Sequence, residues 1–440
     1  MKNPKNYFPL LLNFSLLALL TGQAVSDFGN RLNYMALIDL IARYRPGSAF
    51  ELSKLLLFIV LPALIFTPLV GVYVDRWNRK KIMIASNLFR SLLVLLIPLG
   101  MTFFYSLNLT YAIIFLFYSA DLFFNPARGA IIPDLVPKER LLATNSLFYL
   151  VGAMAAIAGT ALGGILVGLT GWENGFYANA VICLLSAAAI SFIIWEPGLK
   201  KEQSENNKSS AKCSGNVHGD RIFFGELKHL YRETIEGLQL VRDNPLVLFA
   251  IASASIIFVI GGIMFTAGLA FLKQVIQATT VDVGIFAALV GIGVMIGIAL
   301  LNKFGRSYSR KNLIFISFFI LGMLLIGFSN IGSRINLSIL MLVSGVIITP
   351  LIVVPDTLLQ EIIPYDIRGR IFSLKEFCIR VALIITTMSL GLVADLWNKK
   401  FLLMGAGGTL SIISLLAAWL FWNLPATAVE IRTIDRDSAE

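Results

Sequence analysis

Long apolar runs alternate with short polar stretches along nearly the whole chain. Six fall in the first half, at 10–40, 52–74, 82–104, 109–130, 144–169 and 175–195. Six more follow at 246–272, 283–301, 313–329, 337–359, 371–396 and 401–424. A bilayer core is crossed by about 20 residues of helix, so the pattern predicts about twelve crossings. One long polar segment, 196–245, separates the two sets. Its part at 200–219, rich in Ser, Asn, Lys and Glu, reads as a flexible linker. From Phe223, apolar Leu227, Leu230, Tyr231, Ile235 and Leu238 recur at helical spacing between charged residues. That pattern predicts an amphipathic helix on the inner membrane face, serving as a tether. The expected organisation is a six-helix bundle at 1–195, the linker at 196–245, and a second six-helix bundle with a short tail at 246–440.

The two halves are copies of one unit. Asp75-Arg76-Trp77-Asn78-Arg79 returns, weakened, as Asn302-Lys303-Phe304-Gly305-Arg306, 227 residues later. Pro137-Lys138-Glu139 with Ser146-Leu147 returns on the same register as Pro364-Tyr365-Asp366 with Ser373-Leu374. Internal duplication in a membrane protein is the usual architecture of a secondary transporter.

Composition supports lipid as the solvent. The 440 residues are 57% hydrophobic and 14% charged, against roughly 25% charged in soluble domains. The net charge of +10 raises nucleic acid as a partner, but Lys and Arg concentrate in alternate loops. That is the positive-inside pattern of a multi-pass protein of the plasma membrane, here a bacterial inner membrane, with both termini cytoplasmic. Lys2 and Lys5 precede a run that reads as the first span, not a removed peptide. Cys183, Cys213 and Cys378 imply no disulfide framework. His218 and His229, the only histidines, both lie in the central segment, which argues against a histidine-based metal or catalytic site. No HExxH, Ser–His or P-loop pattern occurs, so an enzyme, an ATP-driven pump and any cofactor are not expected. A sensor would need an output domain, and the tail after Leu424 is short.

The loop after the second span runs Gly71-Val72-Tyr73-Val74-Asp75-Arg76-Trp77-Asn78-Arg79-Lys80-Lys81. A cytoplasmic loop collects cations, but that does not explain Asp75. An acid there pairs with a neighbouring Arg or a helix N-terminus, and Arg128 is the candidate partner. The pattern resembles the signature loop of the major facilitator superfamily, G-x-x-x-D-R-x-x-R-[KR]. The resemblance implies two pseudo-symmetric bundles and an inter-bundle latch in the outward-facing state, carried by Gly71, Asp75, Arg76 and Arg79. Lys303, Arg306, Asp356 and Glu361 are the expected second-half latch. Gly159-Thr160-Ala161-Leu162-Gly163-Gly164 in the fifth span is similar to that family's antiporter motif, with Thr160 where the motif has Pro. Small-residue helix packing also explains these glycines.

Ser26 to Leu37, and Pro126-Ala127-Arg128 through Asn145-Ser146-Leu147, look like the macrolide-efflux and enterobactin-exporter branch. The acid of the first span sits about one turn from its place in that branch. Charges within spans are functional candidates because they are costly unless paired. Asp27 and Arg31 stand at i and i+4, with Gln23 one turn earlier. Either they neutralise one another or Asp27 faces the cavity and takes up a proton. Asp121 stands alone mid-span and can pair across the cavity with Arg31 or Arg90. Arg90 is otherwise expected to snorkel to the inner surface. Glu376 and Arg380 form another i,i+4 pair, and Lys375 reads as a positive-inside residue.

The sequence thus predicts an all-α integral membrane protein, monomeric, with a small molecule and a proton as partners and no nucleic acid. Proton-coupled efflux of a macrolide-like drug or siderophore by alternating access is the leading expectation. Lysophospholipid flipping is the alternative.

Overall fold

The computed structural model describes residues 13–137, 140–194, 244–304, 309–363 and 365–420. The expected linker and its amphipathic helix lie outside the described residues. So do Arg306, the surroundings of Gly71, and the side chains of Asp75 and Arg76.

Helices begin where a side-chain oxygen meets their orphan N–H groups. Asn13 caps α1 (Phe14–Tyr44), Ser48 caps α2 (Ala49–Arg76), Asn78 caps α3 (Arg79–Phe104) and Ser106 caps α4 (Leu107–Asp121). The chain continues through α5 (Phe124–Leu135), α6 (Leu141–Thr170) and α7 (Trp172–Ser191). Gly171, at φ 92°, turns α6 directly into α7, a backbone that a Cβ would strain. The second half opens with α8 (Pro245–Ile263), capped by Asn244 with Pro245 in the first turn. A π-helical turn at Met264–Gly268 joins it to α9 (Leu269–Gln274). Then follow α10 (Thr280–Phe304), α11 (Arg310–Asn330), α12 (Arg334–Ile362), α13 (Tyr365–Leu396) and α14 (Lys399–Leu420).

Eleven helical stretches among the described residues are long and apolar enough to cross a bilayer. The twelfth crossing is α1, whose 31 residues suffice in length. It falls short in hydropathy because Gln23, Ser26, Asp27, Asn30, Arg31 and Asn33 crowd its middle. The fourth crossing, expected as one helix, is two. Pro126 has no N–H to offer the carbonyl of Leu122, and the chain turns there between α4 and α5.

Packing follows the duplication. Within the first half, α1 packs on α6 and α7, α3 on α7, and α2 on α4. The second half repeats this with α8 on α13, α11 on α14 and α10 on α12. The halves meet through α2 with α13 and through α6 with α10. Those two contacts exchange under a pseudo-two-fold that maps the second span on the eighth and the fifth on the eleventh. The protein is an all-α, multi-pass membrane protein of two six-helix bundles.

Candidate functional site

Alternate crossings put Asn78, Arg79, Lys80, Arg310 and Lys311 on one face, the basic face. The bundles are sealed at the opposite face. Asp395 at the end of α13 caps the first turn of α2, accepting from Ala49 N at 2.6 Å, Phe50 N at 3.2 Å and Ser48 Oγ at 2.7 Å. Ser53 Oγ donates to the Thr387 carbonyl at 2.7 Å. On the pseudo-symmetric side, Thr280 Oγ1 donates to Asp39 Oδ1 at 2.5 Å, and Lys273 Nζ donates to Thr280 Oγ1 at 2.7 Å. Gly164 and Gly284 let α6 and α10 touch backbone to backbone, since a Cβ on Gly164 would lie 2.7 Å from the Gly284 Cα. Tyr34 packs on Phe265 beneath this seal, with ring centroids 5.4 Å apart.

A cavity of about 680 Å³ extends below Tyr34. It runs down to Arg128 and Asn145 near the basic face. Every side chain lining it belongs to the first half. Gln23, Asp27, Asn30, Arg31 and Tyr34 recur along α1 at intervals of three and four, which turns one stripe of the helix into the cavity wall. Asp121 and Tyr118 come from α4, Arg128 from α5, and Asn145, Tyr149 and Gly152 from α6.

The charges in this wall have unequal partners. Arg90 on α3 is fully buried. Its Nη1 lies 2.9 Å from Asp121 Oδ1 and donates to Ser26 Oγ and Asn87 Oδ1, both at 3.1 Å. Its Nη2 donates to Asn30 Oδ1, and its guanidinium lies over the Phe117 ring, 4.7 Å from the centroid. Asn87 extends the network to Ser186, which donates to the Gly22 carbonyl. A charge this deep persists only when paired and hydrogen-bonded. Of the two readings of Arg90, pairing with Asp121 holds and snorkelling does not: Asp121 and three polar side chains meet its two terminal nitrogens inside the bundle, while its buried Nε has no hydrogen-bond partner. Ser86, Asn87, Arg90 and Ser91 on one face of an apolar span were the signal for this network.

Asp27 is held differently. It accepts one hydrogen bond, from Gln23 Nε2 at 3.0 Å. Among the described residues it forms no ion pair, so Asp27 and Arg31 are not the self-neutralising pair that their spacing allows. Arg31 points into the cavity and is exposed there. Arg128 lies 5.8 Å over the Phe148 ring, and its buried Nε has no hydrogen-bond partner.

The other candidates sit apart from the cavity. Arg79 bonds the Ala130 carbonyl and Asp134, within its own bundle. Asp356 binds Lys375 at 2.6 Å, and Glu361 binds Arg310. Both pairs lie inside the second bundle. Lys303 lies over the ring of Phe304. Lys375 is buried and also faces Glu376 at 3.3 Å, so it is an internal ion-pair member and not a membrane-surface cation. Glu376 and Arg380 approach to 3.9 Å as expected. In α6, Gly159 and Gly163 press against α1 at Phe28 and Leu32, while Gly164 faces the second bundle.

Two bundles sealed at one face, with a polar cavity reaching toward the other, have the architecture of a secondary membrane transporter. The chain belongs to the Major Facilitator Superfamily, whose family model matches residues 19–379. It is 28% identical to macrolide efflux protein A of Streptococcus pyogenes, over 87% of this chain and 91% of that protein. It is 27% identical to BacE of Bacillus subtilis (strain 168), assigned as a bacilysin exporter, over 86% and 88%. Its fold is similar to that of a bacterial homologue of the human lysosomal transporter Spinster in the inward-facing, unoccupied conformation (TM-score 0.62, 15% identity, 96% of each chain).

Proposed function

We propose that the protein exports small amphipathic molecules in exchange for protons, with Asp27 as the proton-binding group. The observation that carries this is the division of labour between two cavity acids. Arg90 neutralises Asp121, whereas Asp27 has a single amide for support and faces the cavity without an ion pair. A carboxylate so placed can gain or lose a proton at little structural cost, and can exchange that proton for a cationic group of the substrate. Relatives named for macrolide efflux and bacilysin export support the direction.

The loops rich in Lys and Arg assign the basic face to the cytoplasm. On that assignment the structure is the inward-facing state. The halves 1–195 and 246–440 rock about the cavity, and the seal around Asp395 and Asp39 opens as the basic face closes. The latch expected from Asp75 and Arg76 acts at that closure.

Everted vesicles with an acid interior, followed by a pH-sensitive dye, test the reading. Adding macrolides, other cationic drugs, a catecholate siderophore or lysolipids should release protons for one class, and Asp27→Asn should abolish the release with expression unchanged. Undiminished release in that variant would reject Asp27 as the coupling group. Substrate uptake that requires sodium and releases no proton would reject the proton.

A further inference from the structure

The charge balance of the cavity restricts the substrate further. Once Arg90 has neutralised Asp121, the wall keeps one acid, Asp27, and two guanidiniums, Arg31 and Arg128. Neither guanidinium has an ion-pair partner among the described residues. Arg31 and Arg128 both line the cavity, so both guanidiniums face whatever it holds. Around Asp27 stand Arg31 on its own helix, Asp121 from α4, Arg128 from α5 and Tyr149 from α6.

We infer that the cavity takes a zwitterion, its ammonium at Asp27 and its acidic group at Arg31 and Arg128. The inference rests on Asp27 being the proton site. A purely anionic substrate would be held more tightly once Asp27 gained a proton, because a repelling charge disappears. That is the wrong sign for exchange, in which proton and substrate exclude one another. A purely cationic substrate satisfies Asp27 but is repelled by two arginines. Only a molecule with both charges answers all three groups and is still displaced by a proton at Asp27. The same chemistry occurs in soluble peptide-like molecules and in the headgroup of an ethanolamine lysophospholipid.

The test is calorimetric binding to the full chain in nanodiscs. The probes are alanyl-phenylalanine, its C-terminal amide, its N-acetyl derivative and lysophosphatidylethanolamine. Deleting one charged group from the ligand removes a charge-assisted hydrogen bond and should weaken binding by about 10-fold or more. The zwitterion should therefore exceed both the amide and the N-acetyl form. Arg31→Gln and Arg128→Gln should each weaken the zwitterion by a similar factor and tighten the cationic amide, which loses a repelling charge. If either variant fails to fold, the ligand series on the unmodified protein decides. Preference for the lysolipid over the dipeptide assigns the zwitterion to a headgroup, and the reverse assigns it to a soluble molecule. Equal or tighter binding of the amide overturns the inference, as does no binding by either zwitterion up to about 10 mM. Proton release driven by the amide would sink the zwitterion and leave proton coupling standing. Zwitterion binding without Asp27-dependent proton release would do the opposite.

Discussion

Asp27 and Asp121 project from α1 and α4 into one cavity, but only Asp121 has a guanidinium against it. On the proposed mechanism, that difference separates a structural acid from a working one. Arg90→Ala removes the partner of Asp121 and leaves Asn30, Ser26 and Asn87 without their shared donor. Breaking a buried pair from one side costs about 3–5 kcal/mol, so the purified variant should melt well below the parent, as read by size-exclusion after heating. A melting point within a degree or two of the parent would refute the structural role. Asp27→Asn should leave that melting point nearly unchanged, since the amide still accepts from Gln23. The acids were visible in the sequence as charges inside spans. Their different roles were not, because Arg90 reaches Ser26 from 64 residues away.

At the scale of elements, the glycine-rich run in α6 serves two neighbours. Gly159 and Gly163 fit α1, and Gly164 meets Gly284 of α10 across the bundle boundary. Thr160 stands where the antiporter motif has Pro, and its hydroxyl donates to the Ala156 carbonyl at 2.8 Å. Such back-bonding bends a helix mildly, a weaker version of what a proline does. Gly164→Val should wedge α6 from α10 and break the seal. Cysteines replacing Ser53 and Gly391, whose Cβ would lie 2.9 Å from that of Ser53, should cross-link readily in the parent and poorly in this variant, with unaltered cross-linking counting against the wedge. Small residues every fourth position announced a packing helix. Which helix each glycine touches depends on the rotation of α6 about its own axis, and that rotation is fixed by partners in both bundles.

Alternating access as proposed balances two closures of the whole molecule. Asp395 caps α2 across the bundles at the sealed face. Asp75, read from the sequence, is expected to act at the other face. Losing a helix cap costs about 0.5–2 kcal/mol. Asp395→Ala should therefore shift the population toward opening at the sealed face by roughly 5–30-fold at the upper part of that range. A thiol label on Ser53→Cys would report the shift as faster modification. Asp75→Ala should shift it the other way, slowing transport while substrate binding persists. If both variants move the labelling rate in the same direction, the two acids do not oppose one another.

The order of apolar runs by itself determined that the protein crosses a membrane about twelve times, since length and hydropathy are local properties that the bilayer reads directly. The repeat at 227 residues determined the two-fold design, and the basic loops gave the orientation expected of it. Tertiary structure alone decided which charges neutralise each other, which face is sealed and where the cavity lies. The bonds that close the seal join residues 241 to 347 positions apart, and the cavity acids are sorted by an arginine on a third helix. Such pairings depend on how helices rotate and cross, and no spacing along the chain encodes that.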